Sequence, residues 1–354
     1  MRKKESVKCN VEILRNNNSK EYEKFILDQS ESNIYHTLEW KEVIDDLDYY
    51  KSSYLIARDK NGNIQSALPL FIVNSLNGRR LISIPHSMYG GIIGNEQYVK
   101  VILKKALELK FEKNCKCLVI KQSINGYNKI FNEFNMKCSN KRCSQSVIIK
   151  KPNIMWQDIK PSNKNSIRKS IKNDIEIEQV TCRDDLFDFQ RLALITIKRT
   201  GMPVPPITFF QKIWDVMHDK GYAEFFFAKY KGKAIASCLI FPFNNKVILG
   251  YANSDISYLK FRPNNYIIWK ILEWCYEKKY RIFDLGSTWL NNKGLYFFKA
   301  TFNTIDFPVV YYYYPKNSNI FDDITLIKFF EKIIRILPIE LLKIINPILN
   351  KHFS

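Results

Sequence analysis

The 354-residue sequence predicts an α+β (α/β) protein made of two tandem copies of one unit, followed by an amphipathic helical tail. At roughly 150 residues per domain, the length allows about two domains. Hydrophobic residues make up 46% of the chain and aromatic residues 14%, which excludes a disordered protein. Strand-like and helix-like segments alternate in both halves. The predicted domains are residues 1–150, 151–315 and 316–354.

The first half opens with a short strand and two capped helices. Ser19 caps a helix that runs to about Asp28, and Thr37 caps the next. Asn61-Gly62 supplies the positive φ angles of a tight hairpin between strands at Ser53–Arg58 and Ile64–Val73. The other predicted elements are strands at 11–15, 80–84, 116–122 and 144–150, and helices at 97–112 and 126–134.

The second half repeats this order of elements. Helices are predicted at 160–172, 184–199, 208–219, 265–278 and 294–302, and strands at 175–180, 223–229, 234–243, 246–251, 281–285 and 308–314. Thr37 and Thr208 stand 171 positions apart at corresponding helix starts, and so do Ala57-Arg58 and Ala228-Lys229 at corresponding strand ends. Gly126 and Gly294 open the late helices at an offset of 168. The near-constant offset indicates a duplication.

The charge favours anionic partners. Lys and Arg number 55 against 35 Asp and Glu, for a formal net charge of +20. A field of this sign suits RNA, a lipid headgroup surface or a diphosphate, although a coding bias toward lysine would produce it as well.

Eight cysteines show no paired Cys-x-x-Cys spacing, so reduced thiols and no metal site are expected. The N-terminal residues lack the apolar core of a secretion signal, and no run of about 18 uncharged apolar residues predicts a membrane-spanning helix. The expected location is the cytoplasm, with peripheral attachment to the inner face of the cell membrane as an open alternative.

The tail after Lys316 shows helical periodicity. Its apolar positions are Phe329, Phe330, Ile333, Ile334, Leu337, Leu341, Leu342, Ile345, Ile348 and Leu349. Lys328, Lys332, Arg335, Lys343 and Lys351 supply a cationic flank, and Pro338 and Pro347 divide the tail into short helices. The tail either packs on the protein core or lies on an anionic membrane.

The segment from Phe283 to Lys299 is the strongest candidate site. Phe283-Asp284-Leu285 reads as a buried strand that breaks at Gly286-Ser287, and a short helix follows that turns Lys299 back toward the strand end. Ligands collect at the carboxyl ends of strands in such sheets. A cation there could stabilise the oxyanion of an acyl transfer.

Two further segments carry weaker signals. Tyr89-Gly90-Gly91-Ile92-Ile93-Gly94 is interpreted as a turn, because no good helix follows it as a phosphate loop requires. His86, after Pro85 at a strand end, is the one histidine placed like a site residue, with a structural role as the alternative.

An ordered set of motifs resembles the FemAB family, the peptidoglycan-bridge aminoacyltransferases within the GNAT acyltransferase superfamily. The motifs are the Asp284-Leu285-Gly286 strand end, Gly294–Lys299, Arg262-Pro263-Asn264-Asn265, Leu68-Pro69-Leu70, Gly78–Pro85, Ser166–Lys172 and Thr196–Gly201. The likeness covers about residues 10–315. It implies two tandem GNAT-like domains with mixed central sheets.

The resemblance also implies a reaction. An amine attacks an activated ester or thioester directly, without a covalent enzyme intermediate. Family members transfer the aminoacyl group of a charged tRNA to a lipid-linked or nucleotide-linked wall precursor. By this likeness Lys299 steadies the acyl oxyanion or binds the donor, and Asp284 orients an amine or Lys299. The substrate-binding candidates are Arg199, Tyr251, His86, Trp40, Arg262 and Asn264.

Arg168, Lys169 and Lys172 are candidates for contacts with RNA or headgroup phosphates, the alternative being a solvated basic face. No tightly bound cofactor is expected, and the protein would act as a monomer or dimer. Lys260–Asn265 lacks the glycines of a CoA-binding turn, and no long helical arm like that of some bridge-forming members is evident. The alternatives are an acyl-CoA-dependent N-acetyltransferase acting on an amino sugar and a non-catalytic RNA- or membrane-binding protein.

Overall fold

The computed structural model describes residues 10–75, 78–123, 127–317, 331–343 and 345. It divides into two compact units of mixed α/β structure. Unit 1 comprises Met1–Lys141 and Pro308–Ser318, and unit 2 comprises Arg142–Phe307 and Asn319–Ser354. Each unit is therefore built from two separate chain segments, whereas the domain boundaries expected from the sequence are continuous.

The first repeat of elements runs from β1 to β9. Its strands and helices are β1 (Asn10–Ile13), α1 (Ser19–Asp28), α2 (Leu38–Asp45), β2 (Tyr50–Ser52), β3 (Leu55–Arg58), β4 (Ile64–Leu68), β5 (Phe71–Ser75), β6 (Gly78–Ile82), β7 (Ile93–Gly94), α3 (Val99–Glu112), β8 (Cys117–Gln122), α4 (Asn128–Glu133) and β9 (Lys137–Ile148).

The second repeat follows two connecting helices. The elements are α5 (Pro152–Asp158), α6 (Pro161–Lys172), β10 (Ile175–Gln179), α7 (Leu186–Thr200), α8 (Ile207–Ile213), β11 (Glu224–Tyr230), β12 (Lys233–Phe243), β13 (Lys246–Ser254), α9 (Pro263–Glu277), β14 (Ile282–Trp289), α10 (Lys293–Ala300) and β15 (Ile305–Tyr314).

Unit 1 contains two sheet portions packed around α3. One has the strand order β1-β3-β4-β7, and the other the order β15-β8-β6-β5-β2. Strands β6 and β8 run parallel, with Leu81 opposite Leu118. The apolar face of α3, including Leu103 and Ala106, packs against buried residues of both portions, among them Ile120. Because helix α3 connects two parallel neighbours, it must cross over one face of the sheet.

Unit 2 has one sheet portion with the strand order β10-β11-β12-β13-β14-β9. Strands β13 and β14 are parallel, and α9 connects them. Ile267, Ile271 and Leu272 of α9 are buried against sheet residues that include Ile240 and Phe283. Both units therefore have the mixed sheets that the sequence predicts.

The final strands of the two repeats are exchanged between the units. Residues 142–148 of β9, the last strand of the first repeat, pair with β14 in unit 2. Residues 310–314 of β15, the last strand of the second repeat, pair with β8 in unit 1. Each exchanged strand covers the edge of a parallel pair, whose N–H and C=O groups would otherwise lack β-sheet partners.

Most predicted elements are confirmed within a few residues, including α1 and the Thr37 cap, whose Oγ1 accepts a hydrogen bond from the Trp40 N–H at 3.2 Å. The single strand predicted over Ile64–Val73 is wrong. It divides into β4 and β5 around Pro69, because proline lacks the N–H that a continuous ladder needs. Strand β9 begins at Lys137, well before the predicted start, and α5 is not predicted at all.

The described part of the tail is helical at 331–336 and 339–343, with the break at Pro338 as predicted. Ile334 and Leu342 are fully buried. The Arg335 guanidinium donates to the Thr200 carbonyl oxygen at 3.1 Å, so this part packs against the end of α7. Several predicted tail positions lie outside the described residues, namely Phe329, Phe330, Ile348, Leu349, Lys328, Lys351 and Pro347.

Within the part of the chain that the structure describes, we find no helix long and apolar enough to cross a membrane.

Candidate functional site

The parallel strands of unit 2 separate toward their carboxyl ends. Residues Lys246–Ile248 of β13 pair with residues Ile282–Asp284 of β14, and the pairing of the two strands ends there. Beyond Asp284, β14 pairs with β9 on its other side. The separation creates an opening between two strand ends, the position where ligands bind in open α/β sheets.

A bulge in β14 lies at this opening. Asp284 is opposite Ser146 and Ser287 is opposite Ser144, so Leu285 and Gly286 together face Gln145 alone. Gly286 has φ of 80°, a left-handed conformation that glycine adopts without steric cost. Its peptide groups are turned inward. The Gly286 N–H donates to Asp284 Oδ1 at 2.8 Å, and the Gly286 carbonyl accepts from Lys299 Nζ at 2.7 Å.

Lys299 lies on α10 and is only 6% exposed, and it is the one buried residue of this fully described helix. Asn292 caps the helix by accepting a hydrogen bond from the Leu295 N–H. Burial lowers the pKa of Lys299 to about 8, and the negative charge of Asp284 partly opposes this shift. The structure therefore brings the predicted catalytic pair together around the Gly286 peptide.

Asp284 is 1% exposed and is held by several donors. Ser144 Oγ donates to its Oδ1 at 2.5 Å, and Lys246 Nζ lies 3.8 Å from its Oδ2. A carboxylate this buried is placed to fix the bulge and Lys299 rather than to contact a substrate. Asp284 thus fits the sequence-based alternative in which it orients Lys299.

Sequence reasoning missed three residues of this cluster: Ser144, Gln145 and Lys246. Gln145 is fully buried, and its Nε2 lies 3.3 Å from both the Tyr296 carbonyl oxygen and Thr304 Oγ1. The signal was the polar run Ser144-Gln145-Ser146 in a predicted strand. Its partner β14 lies far along the sequence, so the strand exchange could not be anticipated.

Tyr251 and Arg199 lie on the β13 side of the opening. The Tyr251 ring packs edge-on to Phe210 with centroids 5.1 Å apart. Arg199 is exposed on the last turn of α7, which is held to the end of β13 because the Ser254 N–H donates to Thr196 Oγ1 at 3.0 Å. The two residues belong to different elements from Lys299 and Asp284.

The start of α9 lies just beyond β13. Arg262 is exposed and precedes Pro263 in a left-handed conformation, with φ of 62°. Asn264 Nδ2 donates to Ser254 Oγ at 3.2 Å. The Ser170 hydroxyl lies within 2.9 Å of the carbonyl oxygens of both Phe261 and Arg262, which ties α6 to this helix start.

Arg168, Lys169 and Lys172 are exposed on α6. The Arg168 guanidinium lies 5.6 Å from the Trp156 ring centroid and 3.5 Å from Asn165 Oδ1. Ser170 of the same helix faces the α9 start, and the three cations form an exposed basic face of α6.

His86 and Trp40 belong to unit 1. Trp40 has no exposed surface and packs edge-on to Tyr35, which favours a packing role. His86 is partly buried in a left-handed conformation, and its Nε2 lies 2.9 Å from the Tyr50 hydroxyl. Burial and, secondarily, the charge of Lys121 lower the pKa of His86 to about 3, so it is neutral at physiological pH.

The glycine-rich segment also lies in unit 1. A Cβ on Gly91 would approach Gln122 Oε1 within 1.9 Å, and Gln122 exchanges hydrogen bonds with the Ile92 backbone. The glycine is thus required by this close approach. Among the described residues, no group of three or more His, Cys, Asp or Glu could hold a metal ion.

Comparison with known proteins first defines the class. Residues 162–299 match the family model of an acetyltransferase (GNAT) domain, a range that ends at Lys299. The whole fold is similar to that of a tandem GNAT protein from the clavulanic acid biosynthesis pathway, with a TM-score of 0.59 at 9% identity, over 86% of this chain and 98% of that one. The protein therefore has a tandem GNAT fold with a GNAT domain in its second half.

Three further proteins are similar to this chain. The crystal structure of FemX has a TM-score of 0.70 at 15% identity, over 89% of this chain and 99% of that one. L-PGS from Bacillus licheniformis has a TM-score of 0.59 at 12% identity, over 91% and 98% of the two chains. Lipid II:glycine glycyltransferase of Staphylococcus haemolyticus (strain JCSC1435) is 31% identical over 81 residues. That match spans 23% of this chain and 19% of the relative. The resemblance to the FemAB family is confirmed.

Proposed function

We propose that the protein is an N-acyltransferase that transfers an aminoacyl group to an amine of a cell-wall precursor. The observation that carries the proposal is the buried Lys299 held by the Gly286 carbonyl at the opening between β13 and β14. The lipid II:glycine glycyltransferase relative supports the acceptor class.

Lys299 would stabilise the oxyanion of the tetrahedral intermediate. The acceptor amine attacks the acyl carbonyl carbon, the new C–N bond forms, and the ester C–O bond to the donor breaks. The proton that the nitrogen loses ends on the released hydroxyl oxygen of the donor. An ammonium group has three N–H donors, and Gly286 accepts from one of them. A donor preorganised in a water-poor site contributes about 3 kcal/mol to such a transition state. A pKa of about 8 leaves Lys299 mostly protonated at neutral pH.

The remaining candidates would bind the substrates. Arg199 would contact acceptor phosphate, and Tyr251 would line the same strand end. Arg168, Lys169 and Lys172 would follow the phosphates of the aminoacyl-tRNA donor, and Arg262 and Asn264 would contribute at the start of α9. His86 would contribute to acceptor binding in unit 1.

The second candidate is an acyl-CoA-dependent N-acetyltransferase, favoured by the description of the matching GNAT domain. The start of α9 argues against it. A diphosphate binds to free N–H groups at a helix start, and Pro263 occupies the first position without one. Aminoacyl-tRNA is therefore the proposed donor.

The test is a transfer assay on the purified full chain with aminoacyl-tRNA or acetyl-CoA as donor and a nucleotide-linked wall-precursor peptide as acceptor. We expect transfer from aminoacyl-tRNA only, and a loss of at least about a hundredfold in Lys299→Met. Lys293→Met, which removes an exposed lysine from the same helix, is the matched control and should keep its activity. Transfer from acetyl-CoA alone would establish the second candidate, and full activity of Lys299→Met would remove the assigned role.

A further inference from the structure

We propose that unit 2 inserts one apolar edge into an anionic lipid bilayer and takes up lipid hydrocarbon in a pocket at that edge. The α10–β15 edge is defined by the exposed side chains of Leu295, Phe297, Ile305 and Phe307. The inference rests on the proposed function, because it specifies that the acceptor is the membrane-embedded, lipid-linked form of the precursor.

The polarity of α10 is the first observation. A surface helix normally buries its apolar face and exposes its charges. Here Lys299 is buried, whereas Phe297 is 60% exposed and Leu295 is also exposed. Leaving a Phe side chain in water forgoes the free energy that burial would provide. The helix therefore exposes two apolar side chains within four positions of the candidate catalytic lysine.

The start of β15 extends this surface. The Tyr296 hydroxyl on α10 donates to Asp306 Oδ2 at 2.7 Å. Asp306 is flanked by Ile305 and Phe307, which are 51% and 41% exposed. The hydrogen bond thus joins α10 to the start of β15, so that the exposed apolar residues lie on two neighbouring elements of unit 2. Clustered exposed apolar side chains mark interaction sites for proteins or membranes.

A pocket of about 160 Å³, with a largely apolar interior and polar side chains in its lining, lies next to this edge. Its walls include Val147, Met155, Ile159, Leu272 and Phe302, all of them buried. Ile148 and Ile305 also line it and are exposed, so they stand at its mouth. The pocket wall connects to the candidate site, because Gln145 lies within hydrogen-bond distance of both Thr304 in the wall and the Tyr296 carbonyl on α10.

The charges around the pocket favour a bilayer over a protein partner. Lys150 lines it, Lys151 is exposed beside it, and the backbone N–H of the exposed Lys160 donates to the Thr301 carbonyl oxygen at 2.9 Å. Asp158 is the acidic residue of the lining and pairs with Lys150 at 2.8 Å. Apolar side chains flanked by lysines suit the boundary between acyl chains and anionic headgroups.

The test measures binding of the full-length protein to unilamellar vesicles of phosphatidylglycerol and phosphatidylcholine, at low salt and at about 0.5 M salt. High salt screens purely electrostatic attraction and leaves apolar insertion. We expect the wild type to remain bound at high salt and the double variant Phe297→Ser/Ile305→Ser to bind at least about tenfold more weakly. The matched control is Phe187→Ser/Ile256→Ser, which changes residues of similar exposure elsewhere in unit 2 and should bind like the wild type.

Three results would overturn the inference: wild-type binding that salt abolishes, equal losses in the two double variants, or edge-dependent self-association without vesicle binding. Transfer assays separate this inference from the proposed function. The edge variant should keep full transfer to the water-soluble nucleotide-linked acceptor and lose it with the vesicle-embedded acceptor. If the edge variant binds vesicles weakly and Lys299→Met is fully active, the membrane-binding edge is supported and the proposed function is refuted.

Discussion

Lys299 combines burial with a positive charge, and this combination sets its pH behaviour. Because its pKa is about 8, the fraction of enzyme with a charged Lys299 falls as the pH rises through 8. The acceptor amine attacks only when it is deprotonated, so its contribution to the rate increases as the pH rises. We therefore expect a bell-shaped profile of kcat/KM against pH with a descending limb near 8. Lys299→Arg keeps its charge throughout, so whatever activity it retains should show no such limb. A limb that persists in this variant would have another origin.

The same pKa predicts an effect on stability. The folded-state pKa of about 8 lies below the ordinary value of 10.5, so between these values the unfolded state binds more protons at this site. The free energy of unfolding of the wild type should therefore rise with pH relative to that of Lys299→Met. Between pH 7.5 and 10 we expect a relative gain of roughly 2 kcal/mol, measured by urea denaturation. A pH-independent difference would show that the lysine pKa is not depressed.

Ser144 supports the position of Lys299 indirectly, through Asp284. Its hydroxyl donates to the buried Asp284 carboxylate, and loss of such a bond to a charged group costs about 1.5–3 kcal/mol. We expect Ser144→Ala to lower stability by this amount and to shift the pH limb assigned to Lys299. Ser166→Ala removes a hydroxyl that bonds the Ser162 carbonyl on an exposed helix, and should do neither. An unshifted limb in Ser144→Ala would reduce Ser144 to a purely structural role.

At the scale of elements, the bulge of β14 positions the site. Gly286→Ala places a Cβ in a left-handed conformation, at a cost of about 1–2 kcal/mol, and displaces the carbonyl that holds Lys299. Gly232→Ala imposes the same backbone strain in the turn between β11 and β12, where Gly232 has φ of 76°. A Cβ added there would have no neighbouring atom within 4 Å. Gly286→Ala should lose more stability than Gly232→Ala in thermal unfolding, because it also displaces the acceptor of the buried Lys299, and it alone should lose transfer activity. Equal activities would show that the bulge does not position Lys299.

Elements whose stabilising contacts lie close together in sequence could be predicted, and contacts between residues far apart in sequence could not. Local signals for the start of α1, the Thr37 cap and the β3–β4 hairpin were sufficient because their partners lie nearby in sequence. The predicted Ser19 cap is wrong, because Asn18 occupies the N-cap position without a side-chain hydrogen bond, and of Asn61 and Gly62 only Gly62 has a positive φ. The segment from Asp284 to Lys299 was predictable for the same reason. The contacts of Ser144, Gln145 and Lys246 were not, because each requires knowing which strand pairs with β14.

For the whole molecule, the net charge of +20 predicts nonspecific RNA binding, whereas the basic face of α6 predicts where part of it occurs. Each phosphate contact with a single strand contributes about 0.7 to the slope of log affinity against log salt. Replacing Arg168, Lys169 and Lys172 with Gln should reduce that slope by about 2 for aminoacyl-tRNA. The same change at Lys60, Lys104 and Lys113, exposed in unit 1, should reduce it much less. Equal reductions would mean that the α6 face is simply solvated.

The exchanged strands β9 and β15 have a consequence for how this gene can be divided. A cut between the repeats would leave the first fragment without the β15 residues that pair with β8, and the second without the β9 residues that pair with β14. Each fragment would present a bare strand edge, a template for aggregation. The two repeats are therefore expected to fold only as one chain, because either fragment alone would expose a strand edge that the intact chain covers.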